Sequence, residues 1–206
     1  MFGSGTTARC LVSQGRSIHF FDVGGTVFTK ATPGDLPDTN GNPEVSFPAR
    51  YMTVTAGALS TTTNAAGAFN FAGVNGPLSV TFTYDGLYNN VVNNGGSDYV
   101  LTQSLTGTGN TVTLNPSPTE QVTAQSNAFH QINVMRDWTR SVNPADATSD
   151  FVALANVNIA STCNAFFNGS STNYFLMGGG CVNTAYSTVI HHEMGHWLNV
   201  IYGSGN

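Results

Sequence analysis

Two prolines one residue apart divide this chain into halves with different periodicities. In Asn115-Pro116-Ser117-Pro118-Thr119, each proline lacks a backbone N–H and has a fixed φ, which halts strand pairing and stiffens the chain. Before that break, apolar residues come in short alternating runs, as in a strand over 78–84 with Leu78, Val80, Phe82 and Tyr84 on one face. Similar runs predict strands over 8–12, 17–21, 51–55, 68–71 and 111–114, with one more between the turns Asn94-Gly95-Gly96 and Gly107-Thr108-Gly109-Asn110. Asp85-Gly86 is read as the hairpin turn into a strand over 87–92, and 31–43 as a polar loop punctuated by Pro33-Gly34, Pro37-Asp38 and Asn40-Gly41. Short strands at this spacing predict a β-sandwich over 1–116, in which His19 is a packed strand residue.

After the prolines the period becomes helical. Ala128, Ile132, Met135 and Val142 fall on one stripe, broadened by Phe129 and Trp138. They predict a helix from about 120 to 140, capped by Ser117 or Thr119 and packed on a sheet, with His130 on its surface. Strands are expected over 151–159, 163–167 and 173–177, with Asn168-Gly169 turning between the last two. Gly178-Gly179-Gly180 breaks the chain, and a final helix starts at Asn183 or Thr184.

That last helix carries His192-Glu193-Met194-Gly195-His196, an H-E-x-x-H motif. Positions i and i+4 lie one turn apart on one helix face, so His192 and His196 can reach one Zn2+ ion while Glu193 acts as general base toward a water. A hydrolytic zinc site needs three protein ligands and one open position. One zincin class continues the motif with Gly at the position of Asn199 and His at that of Tyr202, and both are absent. His130, His191 and scattered Asp residues are the remaining candidates inside the sequence. His191 is disfavoured because adjacent helical residues face different ways. The third ligand is therefore expected outside these residues.

Composition narrows the function classes. Charged residues make up 8%, with 6 Lys+Arg against 11 Asp+Glu, and the single lysine is Lys30. No basic patch can form to hold a phosphate backbone, so nucleic acid is excluded as a partner. No apolar run reaches the roughly 20 residues that span a bilayer. Met1-Phe2-Gly3-Ser4 has neither the basic start nor the apolar core of a signal peptide. A piece of a longer secreted precursor is favoured over a cytosolic protein. Cys163 and Cys181 flank a short segment and could be bridged in an oxidising compartment, with Cys10 left over; three free thiols are the alternative.

From about residue 120 onward the chain resembles thermolysin-like and fungalysin-like zinc metallopeptidases. The helix segment Ala124-Gln125-Ser126-Asn127-Ala128-Phe129-His130, the run Asn164-Ala165-Phe166-Phe167-Asn168-Gly169 and the H-E-x-x-H helix carry the resemblance. It implies that Asn164 and Ala165 lie on an edge strand of the cleft, hold a polypeptide substrate by strand addition, and offer the alanine carbonyl to the attacking water. It also implies a downstream glutamate ligand and a downstream histidine or tyrosine for the oxyanion, neither of which is present. Thr62-Thr63-Asn64-Ala65-Ala66-Gly67-Ala68-Phe69-Asn70-Phe71 resembles the turn and strand of carboxypeptidase-regulatory-like domains, immunoglobulin-like sandwiches often attached to secreted peptidases.

The expected fold class is α+β: an accessory β-sandwich over 1–116, then the N-terminal part of a zincin-type catalytic domain over 117–206. The expected function is secreted zinc endopeptidase, as a fragment without its third ligand and inactive alone. The competing expectation is a non-catalytic β-rich adhesion module with an incidental H-E-x-x-H. Oligomeric state is not readable.

Overall fold

A computed structural model describes residues 21–74 and 76–203, and they form a mixed α+β, mostly sheet, architecture. Strands read over 8–12 and 17–21, with Cys10 and His19, lie outside the described residues apart from Phe21. Phe21 opens β1 (Phe21–Ala31), an eleven-residue strand. On one edge β1 pairs antiparallel with β2 (Val45–Pro48) and β5 (Ala68–Val74), and on the other it pairs parallel with β9 (Asn110–Leu114).

The second sheet has eight strands. β3 (Met52–Ala56), β4 (Leu59–Thr62), β6 (Leu78–Gly86), β7 (Asn89–Asn93) and β8 (Val100–Leu105) come from before the prolines. β10 (Ala153–Ile159), β11 (Ala165–Phe167) and β12 (Thr172–Phe175) come from after them. The order is β11-β12-β10-β7-β6-β3-β4, with β8 also on β6. β10 joins the earlier strands by parallel pairing with β7, from Ala153 opposite Asn89 to Val157 opposite Asn93.

Alternation builds the core as the sequence predicts for β6: Val80, Phe82 and Tyr84 point inward and are buried. Phe69 of β5 meets Phe82 across the gap between the sheets, ring centroids 5.7 Å apart. One cluster of buried apolar side chains runs from Val23 and Val27 through Phe129 and Ile132 to Ile190 and Met194. Pro116-Ser117-Pro118 therefore marks a change of element type over a shared core, and strands from both sides of it share a sheet.

Several boundaries differ from the sequence reading. β6 continues through Asp85-Gly86, and the turn falls at Leu87-Tyr88, because Gly86 passes against the Tyr51 carbonyl where a Cβ would come within 2.5 Å. β1, β2 and β4 had no clear alternating signal. Between β9 and β10, α1 (Glu120–Val142) starts with Thr119 as N-cap, but without a side-chain cap bond. The final helix, α2 (Ser187–Ile201), begins later than Asn183 or Thr184, with Tyr186 as its N-cap.

The apolar stripe of α1 ends early: Trp138 is 59% exposed and Val142 68%. Its first half is instead buried on every side, from Thr123 through Asn133, although much of it is polar. Neighbouring elements answer those polar groups. Thr29 Oγ1 lies 3.0 Å from the Tyr84 hydroxyl and 2.6 Å from Ser126 Oγ, joining β1, β6 and α1. Asn89 donates its side-chain amide to the Phe129 carbonyl at 2.9 Å. His130 is also internal, 5% exposed and stacked on Phe47 at 4.1 Å, which corrects its reading as a surface residue.

Candidate functional site

α2 divides its residues between two faces. Ile190, Met194 and Leu198, at helical spacing, enter the core, and Trp197 packs against Phe151 and Phe167 with centroids 4.9 and 5.2 Å away. His192 and His196 are exposed on the other side. Their Nε2 atoms stand 3.0 Å apart with the rings nearly perpendicular, at 87°. Two nitrogens bound to one tetrahedral zinc at about 2.05 Å each sit about 3.3 Å apart. The pair thus converges close to what one Zn2+ ion requires. Among the described residues no group of three His, Cys, Asp or Glu is gathered as a metal site. His130 is stacked inside the fold, and His191, half-buried, has its Nε2 buried.

Glu193 lies at the junction of two clefts and is only 5% exposed. One cleft, about 690 Å³, extends toward Val182, Tyr186 and Val189. The other, about 630 Å³, extends toward Phe166, Phe167 and Val200. Asn164, Ala165, His192 and Glu193 line both. Among the described residues β11 is the last strand of its sheet and pairs only with β12, through Ala165–Tyr174, Phe166–Asn173 and Phe167–Thr172. Its second edge has no ladder partner among them, the geometry onto which an extended peptide can add.

Cys163 and Cys181 are joined by a disulfide, Cα atoms 5.2 Å apart, and both line the larger cleft. Behind β11, Tyr174 is fully buried. Burial first, and then the nearby Glu193 carboxylate, raise its hydroxyl pKa above the ordinary phenol range.

The segment entering α2 is held by side chains the sequence reading did not single out. Asn127 of α1 donates to the Ala185 carbonyl at 2.8 Å, and Asn183 Oδ1 accepts from the Ala185 N–H at 3.0 Å. Asn183 also donates to Asn158 Oδ1 at 2.8 Å and to Glu120 Oε1 at 3.1 Å. Ser187 Oγ donates to the Gly34 carbonyl at 2.7 Å. The available signal was weak: several Asn residues in otherwise apolar stretches, where a buried amide demands partners.

Neither a known protein family nor a curated protein sequence matches this chain. The functional reading rests on the residues and their geometry.

Proposed function

We propose that these residues carry the two histidine ligands and the general base of a zinc-dependent peptidase acting on polypeptides. The convergence of the His192 and His196 Nε2 atoms to 3.0 Å beside the buried Glu193 carries this reading. The edge of β11 beside that pair, unpaired among the described residues, supports a peptide substrate.

In this reading His192 and His196 would hold Zn2+ through Nε2 together with a third ligand, and the chemistry supplied there would be a lowered water pKa and a polarised scissile carbonyl. Glu193 takes the water's proton on its carboxylate and delivers it to the departing amine. Its low exposure limits competing bulk water. Asn164 and Ala165 hold the substrate backbone extended along β11, which orients the carbonyl toward Glu193. The Cys163–Cys181 disulfide favours an oxidising, extracellular setting. The finer fold proposal is a zincin-type catalytic half whose strands β10, β11 and β12 extend the sheet begun before the prolines.

The test uses the full-length product of the coding sequence that contains these residues. Casein hydrolysis is expected to require zinc, and Glu193→Gln to reduce it at least ~100-fold with zinc content unchanged. Unchanged hydrolysis in that variant rules out the mechanism. Absence of both zinc and hydrolysis in the unmodified protein favours a β-rich binding module.

A further inference from the structure

The cleft has two walls of very different solidity. α2 is anchored by Ile190, Met194 and Leu198 in the core and by the Asn127 bond ahead of it. β11 is three residues long and, among the described residues, sits at a sheet edge with one ladder neighbour. Short edge strands of this kind open at low free-energy cost. Yet Asn164, just before β11, and Ala165, its first residue, line the same clefts as Glu193.

Two adjacent links tie the start of β11 to the segment leading into α2. The first is the Cys163–Cys181 disulfide, one residue before Asn164 and three before Thr184. The second is the Thr184 hydroxyl. Its Oγ1 accepts from the Phe175 N–H at 2.7 Å and lies 3.1 Å from the Asn164 carbonyl. The hydroxyl proton has two acceptors in reach, the Asn164 carbonyl at 3.1 Å and the Phe175 carbonyl at 3.2 Å; the second also accepts from the Thr184 N–H at 3.0 Å, and Asn164 is the one that links to the start of β11.

The local backbone is adapted to this link. Gly178 and Cys181 exchange backbone hydrogen bonds at 3.1 and 2.9 Å, closing a tight turn that presents Cys181. A Cβ on Gly178 would meet Thr162 Cγ2 at 2.7 Å, and Gly179 and Gly180 have φ of +59° and +86°. Cys163 itself has φ +64°, a conformation uncommon for a residue with a side chain. Strained positions persist where the surroundings impose them.

We propose that the Cys163–Cys181 disulfide and the Thr184 hydroxyl are positioning elements that fix the peptide-holding strand at its working distance from Glu193. The link is redox-sensitive: a dithiol breaks the sulfur–sulfur bond, two electrons and two protons convert Cys163 and Cys181 to thiols, and the reductant becomes a disulfide. Cys163 is exposed and so within reach of such a reagent. Loosening this link weakens peptide binding and leaves the histidine-bearing helix in place. The inference rests on the peptidase reading given above.

The test compares the full-length wild-type protein with Cys163→Ser/Cys181→Ser, Thr184→Val and Thr184→Ser on a fluorogenic casein peptide. The double serine variant is expected to raise KM about tenfold with kcat within about twofold and zinc content unchanged. Thr184→Val moves KM the same way, and Thr184→Ser restores it. Hydrogen exchange at Ala165, Phe166 and Phe167 is expected to accelerate about tenfold in the double variant, with Ile190, Met194 and Leu198 unchanged. An unchanged KM, or a loss of zinc and kcat at constant KM, overturns the positioning role. If the wild-type protein cleaves no peptide, the peptidase reading fails, and the exchange rates still decide the link: unchanged rates at β11 overturn it and accelerated rates uphold it.

Discussion

Asn127, buried in the middle of α1, donates its side-chain amide to the backbone carbonyl of Ala185 at 2.8 Å, two residues ahead of the helix that carries His192 and His196. The same side chain donates to Thr32 Oγ1 at 2.9 Å and accepts from the Thr32 N–H at 2.8 Å. One amide thus joins the central helix, the residue following β1 and the entry to α2.

Asn127→Ala leaves these groups without their partner in the interior. Each of the three orphaned groups costs up to about 1–3 kcal/mol, and relaxation of the Thr32 and Ala185 segments recovers part of the sum, so a loss of roughly 2–4 kcal/mol is expected in urea unfolding. A change below about 0.5 kcal/mol shows that water or local repacking replaces the amide.

His130 supplies a pH dependence. Burial first, then the charges of Arg50 and His191, depress its pKa to about 4. The unfolded chain titrates near 6.5 and so binds the proton more readily. Stability is complete above pH 6.5 and falls as pH drops toward 4, by roughly 3 kcal/mol at the lower end. His191 is shifted downward by its own burial and adds in the same direction. His130→Phe, able to stack on Phe47, is expected to flatten the difference between urea midpoints at pH 7 and pH 4.5. An unchanged difference assigns the acid sensitivity to other groups.

Zinc retention separates two ligands from three. His192 and His196 alone give weak binding, because two ligands leave the ion largely to solvent. The 206-residue chain is expected to lose its zinc on dialysis against a weak chelator, measured by metal analysis. Stoichiometric retention establishes a third donor within this sequence.

Arg136 holds the outer half of α1. Its Nε donates to Asp150 at 2.6 Å, another guanidinium nitrogen donates to Asp137 at 3.1 Å, and its Cζ lies 4.0 Å from the Tyr88 ring centroid. A lysine ammonium cannot fork between two carboxylates while stacking flat on a ring. Arg136→Lys is expected to destabilise the fold by about 1–2 kcal/mol in thermal unfolding, and an unchanged Tm assigns the cluster no net stability.

The sequence made the short-range features legible. Strict alternation located β6, and the spacing of His192 and His196 put both imidazoles on one helix face with their Nε2 atoms together. Other elements were hidden for specific reasons. β1 contains Gly24 and Gly25, where side chains would collide with neighbouring strands, and this interrupts its alternation. The first half of α1 shows little amphipathic contrast because Thr123, Gln125, Ser126, Asn127 and His130 are buried beside Ala128 and Phe129. Periodicity reports one apolar face, and this segment is enclosed on all faces. Trp138 and Val142 continued the apolar spacing past the point where the core ends.

By itself the sequence determined the alternation of β6, the switch to a helical period after the prolines and the placement of His192 and His196 on one helix face beside Glu193. These are properties of residues a few positions apart, fixed by backbone periods of 2 and 3.6. Only the tertiary structure decided that β10 pairs with β7 across the proline break, that Asn127 holds Ala185, and that Thr184 and the Cys163–Cys181 bond tie β11 to the entry of α2. Those contacts follow from burial: a polar group removed from water takes whichever partner the fold brings within about 3 Å, however distant in sequence.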